Sequence, residues 1–220
     1  MILAYGDPHG RWTPLLDAAE RLRPSAVVLL GDMDLTAPLR RTVAPLLDVG
    51  IGVHWIPGNH DVGSADAYRW LWKDHPDGSL HGRVVEIGGL RVAGLGGHFK
   101  GKIWYPQRGG EKPIHRSRAD WMRENQARMD DGVPLHLRAA VWPEDVAELA
   151  GRRADVLVTH EAPTSHRAGF RGIDDLARTM RVRLVIHGHH HYSYTSEIEG
   201  GIRVRGLGMA ETWVIDEVRP

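Results

Sequence analysis

The chain of 220 residues contains no cysteine. Disulfides and thiolate metal sites are therefore excluded, and any metal ion has to be held by nitrogen and oxygen donors. It has no excess charge of either sign: 28 Lys and Arg stand against 28 Asp and Glu. That balance argues against a surface dedicated to nucleic acid, where affinity comes from counterion release. No apolar run approaches the roughly 18 residues of a membrane helix, so no membrane partner is expected. The opening stretch, Met1–Gly10, lacks both the basic and the long apolar region of a secretory leader. A soluble cytoplasmic protein is the expectation. Hydrophobic residues make up 42% and charged residues 25%, which is ordinary for a globular domain and excludes a disordered or fibrous chain.

What is abundant is histidine, with 14 residues, and their placement follows a pattern of short strands. Met1–Tyr5, Ala26–Leu30 and Gly52–Ile56 are apolar runs that stop at Gly6, Gly31 and Pro57-Gly58. Helical spacing over Thr13–Leu22, with Pro14 at its start, and expected helices at Leu35–Leu47 and Ala65–Asp74 separate them into parallel β units. Gly88-Gly89 between Val84–Ile87 and Leu90–Leu95 predicts a hairpin. Asp155–Thr159 and Leu184–Ile186 are further strands, and Ile202–Leu207 and Thr212–Ile215 are expected to be a closing pair of strands. The alternation predicts an α/β protein with a mixed two-sheet core and outer helices. Residues 98–140 break the pattern with glycines, prolines and the aromatics Phe99, Trp104, Tyr105 and Trp121, and carry a polar helical stretch near Ser117–Met129. They are expected to be an insertion or lid within a single domain 1–220.

Five expected strands end in acid or histidine clusters: Gly6-Asp7-Pro8-His9-Gly10, Gly31-Asp32, Gly58-Asn59-His60-Asp61, Thr159-His160-Glu161 and Gly188-His189-His190-His191. In open α/β sheets, ligands bind beyond the carboxyl ends of strands, so the five would meet in one place. Each is weak alone. His-x-His on a strand puts both imidazoles on one face, with His187 and His190 pointing the other way. Together the donors are carboxylate, amide oxygen and imidazole, a set suited to manganese, iron, zinc or nickel.

In this order, D-x-H, G-D, G-N-H-D, H and G-H-x-H, the motifs from Asp7 to His191 resemble the calcineurin-like metallophosphoesterases, in particular the small bacterial phosphoesterases and phosphodiesterases. The resemblance implies a four-layer α-β-β-α sandwich of two mixed sheets with two divalent metal ions between them, manganese above all. By position it implies that Asp7, His9 and His191 hold one metal and Asn59, His160 and His189 the other, with Asp32 shared. It implies His60 as the catalytic histidine outside the coordination sphere and Asp61 as its orienting partner. The activity implied is hydrolysis of a phosphoester, mono- or diester, in a small and nucleotide-like substrate by attack of a metal-bound hydroxide. Asn59 would offer its NH₂ to phosphate, and His60 would bind phosphate and protonate the leaving oxygen.

Other residues keep two readings. Asp34 is a turn residue or a partner of the site, and Glu161 orients its neighbours or is structural. His98 and His166 lie near the expected mouth. Trp104, Tyr105 and Arg108 either stack on a base and hold a phosphate or fasten the insertion to the body, and Lys100 and Lys102 are solvated. The phosphate-binding Arg of the G-D-x-x-D-R-G motif in Ser/Thr phosphatases has no counterpart in Gly31-Asp32-Met33-Asp34-Leu35, which weakens a protein phosphatase reading. A nuclease would want a basic groove, and an inactive binding scaffold would have lost His60.

Overall fold

Ile2–Tyr5, Ala26–Leu29, Val156–Thr159 and Leu184–His187 are short apolar runs buried along their whole length. In the computed structural model, which describes residues 1–126 and 132–215, β1 (Ile2–Tyr5), β2 (Ala26–Leu29) and β3 (Gly52–Trp55) are parallel, and β10 (Thr212–Val214) runs antiparallel along β1, in the order β10-β1-β2-β3. A second sheet has the order β4-β5-β6-β7-β9-β8. In it β5 (Leu90–Leu95), β6 (Val156–Thr159), β7 (Leu184–His187) and β9 (Ile202–Gly206) are parallel, and β4 (Arg83–Ile87) and β8 (Tyr194–Ile198) are antiparallel edges.

Alternate side chains then build three cores. Ile2, Ala4, Val28, Leu30, Val156, Val158, Leu184 and Ile186 meet between the sheets. Their neighbours in sequence point outward. Leu3, Tyr5, Val27 and Leu29 pack under α1 (Thr13–Leu22), α2 (Leu39–Thr42) and α3 (Ala44–Leu47) through Leu15, Ala19, Leu39 and Leu46. On the other side Ala93, Leu157 and Val185 pack under α6 (Pro143–Ala150) and α7 (Arg171–Met180) through Leu149, Ile173, Leu176 and Ala177. Three cores between four layers make the α-β-β-α sandwich, as the resemblance implied. Each large aliphatic chain buried this way contributes about 1.5–3 kcal/mol.

Several elements differ from the sequence expectation. The helix expected over Leu35–Leu47 is split into α2 and α3, because Pro38 and Pro45 each fit only a first turn. The one expected over Ala65–Asp74 is a turn, α4 (Ala65–Tyr68), capped by Ser64, that widens into a π-helical Arg69–Lys73. The stretch near Ser117–Met129 is helical as α5 (Arg118–Glu124), with Met129 outside the described residues. The expected closing pair is divided between the sheets, Ile202–Gly206 beside β7 and Thr212–Val214 beside β1, and β8, α6 and α7 were not expected.

Segment 98–140 has a core of its own, formed by Ile103, Met122, Val133, Leu137, Ala140 and Trp142. Arg118 ties it to the body: its guanidinium donates to Glu144 at 2.7 Å and to both carboxylate oxygens of Asp145 at 2.7 and 3.0 Å, in the first turn of α6. Asp145 also caps that helix by accepting from the Trp142 N–H, and His81 Nε2 lies 3.4 Å from its carboxylate. No helix among the described residues is long and apolar enough to cross a membrane.

Candidate metal centre

The parallel strands of both sheets end on one side of the molecule, where cross-sheet contacts close the gap. The Gly97 N–H donates to the Pro57 carbonyl at 2.5 Å, and His160 Nδ1 donates to the Leu30 carbonyl at 2.8 Å. Loops leaving these strands turn sharply. Asp7, His9, Asp32, Asp34, His189 and His191 all have φ between 31° and 69°, a left-handed region that costs non-glycine residues roughly 1–2 kcal/mol each. Six such residues in one place mark where the fold accepts strain. Here the expected strand-borne His-x-His needs correction. β7 ends at His187, and His189 and His191 reach inward from a left-handed loop rather than from one face of a strand.

Around Asp32 the seven expected ligands come together. Its Oδ2 lies 3.4 Å from His160 Nε2 and 3.9 Å from His9 Nε2. On one side, His9 Nε2 and His191 Nε2 are 3.0 Å apart, and His191 Nε2 is 3.8 Å from Asp7 Oδ2. On the other, Asn59 Oδ1 is 3.0 Å from His160 Nε2, and one ligand atom each from Asp32, His160 and His189 lie within 4.8 Å of one another. Backbone passes unusually close. A Cβ on Gly58 would sit 2.2 Å from Asp32 Oδ1, and one on Gly188 2.4 Å from Asp7 Oδ1.

The hydrogen bonding shows that this cluster fits cations. Buried His160 spends its Nδ1 proton on Leu30, so its Nε2 faces two acceptors, Asn59 Oδ1 and Asp32 Oδ2, and a proton or a metal ion has to stand between them. Asp7 Oδ1 is buried with no hydrogen-bond partner, while Oδ2 accepts from the His189 N–H at 2.7 Å. Acceptors facing acceptors in a buried place need a positive charge between them. The electrostatics of the cluster make the same demand. Burial opposes the charge on His160, yet the hydrogen bond and charge of Asp32 and the charge of Asp7 push it up to about 10. Burial raises Asp7 to about 7. Burial would raise Asp32 as well, but His160 outweighs it and holds Asp32 below the usual carboxylate range. His189 is pushed down to about 4, first by burial and then by the charge of His160.

The contact with His60 implied for Asp61 belongs instead to Asp34, for which a partner of the site was one of two readings. The Asp61 carboxylate is buried and accepts three backbone N–H groups, from Gly58 at 2.7 Å, Asp32 at 3.0 Å and Met33 at 2.9 Å. It staples the β2 and β3 loops, with burial raising it to about 6. The side chain facing His60 belongs to Asp34: its Oδ1 lies 3.3 Å from His60 Nδ1, and its Oδ2 accepts from His9 Nδ1 at 2.7 Å. His9, Asp34 and His60 also bring ligand atoms within 4.8 Å of one another. The signal for Asp34 was its place two residues after Asp32; only the left-handed turn at Asp34 brings it to His60.

Glu161 is buried with its Oε2 3.7 Å from His189 Nε2 and its Oε1 accepting the Phe99 N–H at 3.3 Å. His98 is half-buried, with Nδ1 lacking a partner, and burial first and Lys100 second lower it to about 4. The insertion residues lie apart. The Trp104 indole N–H donates to the Glu111 carbonyl at 2.9 Å, and its ring meets Phe99 edge-on at 5.7 Å, so it fastens the loop. Tyr105 rests edge-on against Phe170 with 45% of its surface exposed, and the Arg108 N–H is held by Glu111. A cavity of about 620 Å³ lined by Leu16, Pro45, Val49 and Ile51 touches none of the cluster residues.

Comparison with known proteins agrees with this geometry. A protein of Haemophilus influenzae that is itself uncharacterised is 36% identical over 211 residues, covering 94% of this chain and 91% of that one. A probable cyclic nucleotide phosphodiesterase of Rhodococcus erythropolis is 30% identical over 197 residues, covering 83% of this chain and 56% of that protein. This chain thus spans little more than half of the Rhodococcus protein. Among solved structures, a dimetal phosphatase from Danio rerio superposes with a TM-score of 0.55 at 16% identity, over 95% of this chain and 86% of that one. A Thermus thermophilus protein reaches 0.59 at 18% identity over 95% and 89%. These two show the fold. The family model for calcineurin-like phosphoesterases matches residues 1–193, which takes in every motif from Asp7 to His191, and this chain belongs to that family of phosphoester hydrolases.

Proposed function

We propose that the protein hydrolyses phosphoester bonds of a small, nucleotide-like substrate, most readily a phosphodiester, with two divalent metal ions held by Asp7, His9, Asp32, Asn59, His160, His189 and His191. The observation that carries the reading is the convergence around Asp32, in which Asn59 Oδ1 and Asp32 Oδ2 both face His160 Nε2 and Asp7 Oδ1 is buried with no hydrogen-bond partner. Manganese is the ion proposed, with iron, zinc and nickel as alternatives for the same donor set. Such ions supply a Lewis-acid clamp for phosphoryl oxygens and lower the pKa of water.

The chain's own residues do the rest. Asn59 turns its Oδ1 to His160, which leaves its NH₂ to donate to a phosphoryl oxygen. His60 is half exposed at the rim, with Nδ1 against the Asp34 carboxylate. Asp34 fixes the ring, so that Nε2 faces the leaving oxygen and can deliver a proton to it. The same carboxylate orients His9 through Nδ1, leaving His9 Nε2 to face the cluster. Asp61 acts by holding the loops that carry Asp32 and Asn59. The Rhodococcus relative supports a diester substrate. The even charge balance weighs against nucleic acid, and the cell compartment proposed is the cytoplasm.

The test is hydrolysis of bis-p-nitrophenyl phosphate, p-nitrophenyl phosphate, cyclic nucleotides and single-stranded DNA, each with manganese and with a chelator. The reading expects manganese-dependent turnover of the small diesters above the rest. Preference for DNA, or turnover that survives the chelator, would contradict it.

A further inference from the structure

The loop between β7 and β8 brings more to the site than His189 and His191. His190, between them, has its ring 4.9 Å from His189 and stacks on His166, from the β6–α7 loop, at 3.8 Å and 19°. The line of rings continues outward. His166 is 6.3 Å from Tyr194, and Tyr194 stacks on Tyr192 at 6.0 Å and 27°. It begins beside a histidine of the metal centre and ends at Tyr192, which is 63% exposed.

Packing and hydrogen bonding account for only part of this line. Ser165 Oγ lies 3.0 Å from the Tyr194 hydroxyl, which donates to His187 Nε2 at 2.8 Å, and His187 Nδ1 donates to the Gly188 carbonyl at 2.9 Å. That chain pins Tyr194 and buried His187. It makes no use of His190 Nε2, which is buried without a hydrogen-bond partner, or of the exposed ring of Tyr192. A polar atom buried without a partner is a standing cost that a bound group relieves, and exposed stacked rings offer a flat surface to another ring.

Building on the phosphoester reading, the geometry points to a binding subsite for a planar aromatic group of the substrate, a nucleobase or an aryl group. It lies along His190, His166, Tyr194 and Tyr192, with the phosphoryl group at the metal centre. Stacking of this kind accepts any base because every base has a π-face, and it changes affinity by about tenfold or more.

The test is calorimetric binding to the manganese-loaded protein of two probes that cannot be hydrolysed, a phosphonate analogue of adenosine 5′-monophosphate and ring-free methylphosphonate. The expected result is at least about tenfold tighter binding of the adenosine probe. His166→Ala with Tyr192→Leu should remove that preference and leave methylphosphonate affinity unchanged, whereas Tyr192→Phe should keep it. Tyr192 is exposed enough that its variants fold whatever happens at His166. Equal binding of both probes, or an adenosine preference untouched in the double variant, overturns the subsite alone. Failure of the unaltered protein to bind either probe overturns the phosphoester reading, and the subsite with it.

Discussion

Two aspartates of the site are distinguished by what their oxygens touch. Asp34 faces the side chains of His9 and His60, whereas Asp61 faces three backbone N–H groups. Their variants should fail differently. Asp34→Asn and His60→Ala should each lower kcat on bis-p-nitrophenyl phosphate by about 10²-fold or more, the usual size of a general acid's contribution. Metal content by elemental analysis should stay near that of the unaltered protein in His60→Ala. Asp61→Ala leaves three buried donors unpaired and should cost about 3 kcal/mol in denaturant unfolding, with loss of metal. If Asp61→Ala kept its stability and its metal while losing turnover, the division of roles argued for these two residues would be wrong. The sequence offered Asp34 as a turn residue or a partner of the site, but not that it meets His60. Asp and His 26 positions apart meet only because a non-glycine residue adopts a left-handed turn, and propensity gives that conformation almost no weight.

At the scale of elements, legibility followed hydrophobic pattern. Strands buried on both faces, such as β1, β2, β6 and β7, read as apolar runs ended by glycine or by an acid or histidine, so the strand ends that carry the candidate ligands could be placed from local sequence. β8 reads Tyr-Thr-Ser-Glu-Ile and buries only Ile198, so its ladder with β9 left no hydrophobic signature. α7 did carry a signal, with Ile173, Leu176, Ala177 and Met180 at helical spacing, though it begins at Arg171-Gly172 without a capping side chain. The lid expected for residues 98–140 is fastened by Arg118 on Asp145, a contact between residues 27 apart that no local pattern announces. Burial favours a neutral Asp145, but His81 and Arg118 outweigh it and hold the carboxyl below the usual range. Arg118→Met should therefore leave Asp145 with only His81 and the Trp142 N–H. The expected loss is about 2–3 kcal/mol in thermal or denaturant unfolding, with faster proteolysis near residues 99–140 and kcat changed less than threefold. An unchanged proteolysis pattern would mean that the ion pair does not hold the insertion down.

For the whole molecule, the cluster couples metal, protons and stability. His160 is pushed up to about 10 in the metal-free protein by Asp32 and Asp7 despite its burial, while an unfolded histidine titrates near 6.5. Between pH 7 and 9 the metal-free native state thus holds a proton that the unfolded chain has released, and its stability falls as pH rises. A metal ion held by His160 would compete with that proton for Nε2, so metal affinity should rise with pH, by about tenfold per unit for one linked proton. Melting temperature from pH 7 to 9 should therefore fall in chelator and hold or rise in manganese. Parallel falls in both conditions would show that His160 is not where the metal binds.

The central claim is that side chains from both sheets form one cage for two cations, and anomalous diffraction from a manganese-soaked crystal tests it most directly. The account predicts two peaks that share Asp32, one against Asp7, His9 and His191 and the other against Asn59, His160 and His189. A map with no peak there, or with manganese held elsewhere while these seven side chains stay free of it, would contradict the account.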